Sequence, residues 1–128
     1  MASSSRPVSP HLSIYRWTLT MWTSISQRAT GVALYAGTAL LALWLVAAAI
    51  GGDFFAGVDW LVGSWFGLLV LFGFTWALLH HMFGGIRHFI WDRIIGMDPA
   101  SREMIVRVQL AASIGFTLLL WAFFVWFK

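Results

Sequence analysis

The sequence predicts an all-α integral membrane protein with three transmembrane helices and a cytoplasmic N-terminus, forming part of a multi-subunit helical bundle. Composition is the first observation behind this. Of the 128 residues, 60% are hydrophobic and 10% charged, against about 25% charged in an ordinary soluble domain. Eight basic and five acidic side chains cannot cover a water-facing surface of this size. The second observation is three apolar runs, 29–52, 60–86 and 108–127. Each meets the roughly 20 residues that a helix needs to cross a hydrocarbon core. The third is charge asymmetry. Arg6, Arg16, Arg28, Arg87, Arg93, Arg102 and Arg107 fall on one side of the layout and Lys128 on the other. The positive-inside rule then places the N-terminus and the second loop in the cytoplasm of a bacterial inner membrane, and the C-terminus outside.

Residues 1–128 read as one membrane-anchor domain. Residues 1–23 are polar, with Ser3–Ser5, Pro7 and Pro10, and are expected to lie along the cytoplasmic membrane surface. No apolar stretch there precedes a small-residue cleavage site, so a secretory signal is not expected, and the two prolines oppose an amphipathic transit helix. The helices are expected at about 24–52, 59–92 and 99–127, because segments inside lipid must satisfy their own backbone polar groups. The connections are short. Gly51-Gly52-Asp53 to Asp59 joins the first pair, and Asp92 to Arg107 the second. In the latter, Asp98-Pro99 fits an N-cap followed by proline in the first helical position.

Several chemistries are excluded. There is no cysteine, hence no disulfide, iron–sulfur cluster or thiolate metal site in this chain. Basic residues form no run, so no nucleic-acid partner is expected. There is no glycine-rich phosphate loop and no HExxH zinc motif. The acids lie at loops, leaving neither a carboxylate pair nor intramembrane acids for an ion pathway. The chain also has no internal repeat, which argues against a small transporter.

Ionisable residues inside a transmembrane helix are costly and point to function. In the second helix the string is His80-His81-Met82-Phe83-Gly84-Gly85-Ile86-Arg87-His88-Phe89-Ile90-Trp91-Asp92. At ~100° per residue, His81, Gly85, His88 and Asp92 share one stripe, while His80 and Arg87 share another. His81 lies about 16 Å along the axis from Asp92, well inside the membrane, whereas His88 is near the interface. An imidazole at that depth can coordinate a metal or haem iron, shuttle protons, or bond a neighbouring helix. Gly85 leaves room beside it for a flat macrocycle or for another helix. His88, one turn nearer the cytoplasm, is placed to meet an anionic group such as a propionate. His80 reads as a helix–helix contact. If haem is bound, the first and third helices hold no histidine to serve as a second ligand, and His11 lies in the N-terminal segment, far from that depth. The iron then has a different sixth ligand, or another chain supplies it. On the first helix Ser24 and Arg28 are four apart and share a face. Arg28 at the cytoplasmic edge can bind a propionate, hydrogen-bond a quinone carbonyl, or snorkel to headgroups. Ser24 alone also fits an N-cap.

Three motifs, Arg6-Pro-Val-Ser-Pro-His11-Leu-Ser-Ile-Tyr15, Ser24-Ile-Ser-Gln27-Arg28-Ala-Thr-Gly31 and His81-Met-Phe-Gly-Gly85-Ile-Arg87-His88-Phe-Ile-Trp-Asp92, occur in an order that resembles the succinate dehydrogenase cytochrome b556 subunits, one of the two kinds of membrane anchor in respiratory complex II. The likeness covers essentially the whole chain, and the proline-rich opening is similar to alphaproteobacterial and mitochondrial members. The resemblance implies a complex with a flavoprotein subunit, an iron–sulfur subunit and a second membrane anchor, passing electrons from succinate to ubiquinone, with haem b shared between the two anchors. It implies His81 as an axial haem-iron ligand, with the other axial histidine supplied by the second anchor. Ser24 and Arg28 become the quinone-binding pair, and Arg28 and His88 the propionate surroundings. One position departs from the pattern: the family commonly has histidine where this chain has Gln27, which puts proton delivery or propionate pairing there in doubt. Two alternatives stay open, a purely structural docking subunit without haem and the anchor of a related fumarate reductase. Flavin chemistry, which would separate succinate oxidation from fumarate reduction, lies in other chains.

Overall fold

The computed structural model describes residues 16–127. The N-terminal motif containing Arg6 and His11, most of the expected surface segment 1–23, and Lys128 lie outside the described residues. Among the described residues there are four helices: α1 (Leu19–Ile50), α2 (Gly52–Gly63), α3 (Trp65–Asp92) and α4 (Pro99–Trp126). The fold is all-α, and α1, α3 and α4 are the three helices long and apolar enough to cross a membrane.

Each boundary has a local cause. Helix α1 begins at Leu19 rather than near residue 24. Thr18 is its N-cap, its Oγ1 accepting from the Met21 amide at 3.4 Å, so Ser24 lies inside the helix and does not cap it. The polar residues of the first turns do not break the helix because their hydroxyls donate back to its own carbonyls. Thr23 bonds Leu19 and Thr20 at 3.2 and 3.0 Å, Ser26 bonds Thr23 at 3.1 Å, and Thr30 bonds Ser26 at 2.8 Å. Helix α1 ends where Gly51 and Gly52 adopt φ of 72° and 60°, a left-handed conformation that glycine takes without Cβ strain.

The expected connection from Gly51 to Asp59 is helical instead, and the expected helix 59–92 is two helices broken at Ser64. Ser64 adopts an extended conformation and caps α3, its Oγ accepting from the Gly67 amide at 3.1 Å. The turn is tight: a Cβ on Gly67 would overlap the Leu61 and Val62 carbonyls. The Asp98-Pro99 start of the last helix stands as expected, with Asp98 Oδ1 accepting from the Ser101 amide at 2.9 Å.

Helix α3 is central, packed between α1 and α4. Against α1, the Phe74 ring lies on Gly37 where a Cβ would otherwise sit, and the Gln27 carboxamide lies on Gly84 in the same way. Against α4, Phe72 meets Trp121 and Phe83 meets Phe116, with centroids 5.4 and 5.7 Å apart, and Trp121 Nε1 donates to Thr75 Oγ1 at 3.2 Å. The packing inverts the pattern of a water-soluble bundle. The buried described residues include Thr23, Thr30, His80, Arg87, Gln109, Ser113 and Thr117, and the buried hydrophobic ones are Ala47, Ala77 and Val106, while Leu, Phe, Trp and Val side chains cover the outside. Lipid tails are as apolar as leucine, so small and hydrogen-bonding residues hold membrane helices together.

Candidate functional site

The two adjacent histidines of α3 face opposite environments. His80 is fully buried in the bundle. Its Nε2 lies 2.9 Å from Ser26 Oγ of α1, its ring stacks on Trp76 at 5.0 Å, and its carbonyl accepts from Gln109 Nε2 of α4 at 3.2 Å. It is a contact among three helices, in line with its reading as a helix–helix contact. Arg87, two turns along that stripe, is also buried. It donates from Nη1 to Thr23 Oγ1 at 3.1 Å and lies 4.8 Å from the Trp91 ring centre. The one ion pair among the described residues is elsewhere, between the exposed Arg107 and Glu103 side chains of α4.

His81 is half-buried on the α1–α3 flank. Its Nδ1 lies 3.1 Å from the Gln27 carbonyl and 3.4 Å from Thr30 Oγ1. The Thr30 hydroxyl proton is directed to the Ser26 and Gln27 carbonyls, so both neighbours of Nδ1 act as acceptors and Nδ1 carries the ring proton. In the neutral form of that tautomer Nε2 is the nitrogen with the free lone pair, and no described residue hydrogen-bonds it. Gly85, one turn on, borders open space: a Cβ there would meet nothing within 4 Å. The donor set thus fits an iron bound from outside the chain: one imidazole whose Nδ1 is tied to a carbonyl, on a face without side-chain bulk.

The other predicted site residues flank this face without closing on it. Ser24 is half-buried, and Arg28 and His88 are exposed. His88 makes an edge contact with Trp91 at 6.1 Å. Among the described residues no hydrogen bond or ion pair engages the Ser24 or Arg28 side chain, and none joins either to His81. Two features were missed in the sequence. Gln27 bonds the His81 carbonyl through Nε2 at 3.0 Å, although the residue stood out only as a departure from a family pattern. The polar stripe Gln109, Ser113 and Thr117 on α4 faces the bundle interior; its four-residue spacing is the signal that could have found it.

Fold and site together define a membrane-embedded helical protein with one half-buried imidazole, His81, on the flank of its bundle. Known proteins agree with this class. Residues 2–126 match the family model described as succinate dehydrogenase/fumarate reductase transmembrane subunit. The chain is 42% identical over 115 residues to a succinate dehydrogenase cytochrome b556 subunit of Paracoccus denitrificans, covering 90% of this chain and 88% of that one. It is 41% identical over 120 residues to the mitochondrial cytochrome b560 subunit of Sus scrofa, covering 88% and 70%, and 31% identical over 118 residues to the cytochrome b556 subunit of Rickettsia felis, covering 92% of each. The chain belongs to the succinate dehydrogenase/fumarate reductase transmembrane subunit family.

Proposed function

We propose that this chain is a haem b-binding membrane anchor of succinate:ubiquinone oxidoreductase in a bacterial inner membrane. The observation that carries the proposal is the Nε2 of His81, which has no partner among the described residues, beside the open face at Gly85. His81 holds the iron through Nε2, while the Gln27 carbonyl holds its ring proton and so keeps the lone pair in place. Bound haem b supplies a one-electron store between the iron–sulfur subunit and quinone. A second ligand to the iron would come from a second anchor subunit, as the family resemblance implies; the described residues of this chain offer no other histidine on the His81 face at that depth.

Arg28 and His88, both exposed at the cytoplasmic end, neutralise the propionates by charge-assisted hydrogen bonds. Ser24 and Arg28, on adjacent turns of α1, orient the ubiquinone carbonyl by donating to its oxygen as negative charge develops there. The arginine-rich cytoplasmic end docks the iron–sulfur subunit, which in turn carries the flavoprotein. The remaining outer surface faces membrane lipid and the second anchor.

In the purified complex, His81→Ala removes the b-haem absorption. A normal haem content in that variant would overturn the ligand assignment. Ser24→Ala and Arg28→Ala each lower ubiquinone reduction while leaving succinate oxidation by an artificial acceptor intact. Unchanged quinone kinetics in both would overturn the quinone assignment.

A further inference from the structure

We propose that Gln27 is a positioning residue for His81, clasping the ligand helix so that its side chain and its backbone together set the ring's orientation and basicity. This rests on the reading of His81 as the iron ligand.

Two hydrogen bonds run in opposite directions between the same pair of residues. Gln27 Nε2 donates to the His81 carbonyl at 3.0 Å, and His81 Nδ1 donates to the Gln27 carbonyl at 3.1 Å. The carboxamide orientation is determined by its partner: turning it over would set an oxygen against the His81 carbonyl oxygen. The amide is seated on buried Gly84, where any Cβ would overlap it. Its Oε1 is buried with no partner among the described residues, so the donor end and the glycine seat are what hold it. One turn along α1, a Cβ on Gly31 would come within 3.1 Å of His81 Cε1, so the ring edge rests against the α1 backbone. The separation of α1 and α3 at this level therefore sets the length of the Nδ1–H bond to the Gln27 carbonyl. A carbonyl that accepts from Nδ1 raises the basicity of Nε2 and fixes the ring plane. The amide that holds the two helices at that distance belongs to the same residue as that carbonyl.

Gln27→Met tests this. Methionine keeps the length and most of the volume of glutamine, which limits the packing cost, but has no donor for the His81 carbonyl. That carbonyl lies inside α3 and has the helix's own amides as partners, so the variant folds. With the clasp loosened, the Nδ1 bond lengthens and Nε2 becomes a weaker donor. Haem release from the purified complex to apomyoglobin becomes about tenfold faster or more, the usual scale for losing an outer-shell partner. The haem midpoint potential moves upward, because a less basic ligand favours the ferric state less. The ferric electron paramagnetic resonance signal broadens. Gly84→Ala, which displaces the carboxamide from its seat, shifts the same three readouts in the same directions. Ser26→Ala, which removes the contact to His80 on the inner face, leaves them in place.

Unchanged release rate, potential and signal in Gln27→Met overturn the proposal, even where His81→Ala has lost its haem as expected. Equal shifts in Ser26→Ala also overturn it, since they would trace to general loosening of α1. Haem retained in His81→Ala would overturn the proposal together with the ligand assignment, an outcome distinct from the other two.

Discussion

Gly37→Ala and Gly73→Ala are the same chemical change in two transmembrane helices, and the structure gives them opposite signs. A methyl at position 37 would occupy the space filled by the Phe74 ring, whereas a methyl at position 73 meets nothing within 4 Å. For Gly73→Ala the remaining term is helix propensity, a gain of about 0.5–1 kcal/mol. Gly37→Ala has the same gain, but the overlap displaces Phe74 or pushes α1 from α3, at about 1–3 kcal/mol for inserting a methyl into a packed contact. The net expectation for Gly37→Ala from these two terms spans about 0–2.5 kcal/mol of loss, centred at ~1 kcal/mol. Shortening the ring partner relieves the overlap, so Phe74→Leu costs less in the Gly37→Ala background than alone. The two positions touch, so the double-mutant cycle shows a coupling of about 0.5–3 kcal/mol. Thermal denaturation of the purified complex in one detergent, followed by circular dichroism, reads all four proteins and the Gly73→Ala control. Equal melting of Gly37→Ala and Gly73→Ala, or strict additivity with Phe74→Leu, would refute the seating of Phe74 on Gly37.

Three further outcomes follow from the local geometry. Ser64→Ala removes the N-cap of α3 and costs about 1 kcal/mol; faster hydrogen exchange at the Gly67 amide reports the lost bond, and unchanged exchange would contradict it. Hydrogen bonding from Ser101, through its side chain and then its amide, holds the exposed Asp98 carboxyl below the ordinary carboxylate range. Its contribution is therefore complete above the unfolded value of about 4 and is lost as pH falls through the lower folded value; exchange protection in the first turn of α4 should fade over that window in wild type and stay level in Asp98→Asn. The Ser26–His80 hydrogen bond should show a coupling of about 0.6 kcal/mol, and at most about 1.7, in a Ser26→Ala/His80→Phe cycle, the range for bonds between membrane helices; zero coupling would mean that the contact carries no energy.

The three spans were legible because crossing a hydrocarbon core needs length and apolarity, and the sequence states both directly. Asp98-Pro99 was legible because capping is local chemistry. The break at Ser64 was not, because it interrupts an apolar run without interrupting its hydropathy, and serine also belongs inside membrane helices, where it packs at helix contacts. The reading of ~100° per residue separated His80 from His81, but could not say which of them turns inward. In a soluble helix the apolar stripe answers that question. Here every face is apolar, and the interior is marked by small and hydrogen-bonding residues, Thr23, Gly84, Gln109 and Ser113 among them. Gln27 was legible only as a departure from a family pattern, since its partner lies 54 residues away in sequence.

The adjacent histidines give the most direct test of the central claim, that the outward-facing imidazole of α3 is the haem ligand. The measurement is the dithionite-reduced minus oxidised spectrum, with haem quantified per flavin, for purified His80→Ala and His81→Ala complexes. His80→Ala is expected to keep the b-type bands and the wild-type ratio while His81→Ala loses both. The reverse pattern, or bands retained in His81→Ala, would contradict it.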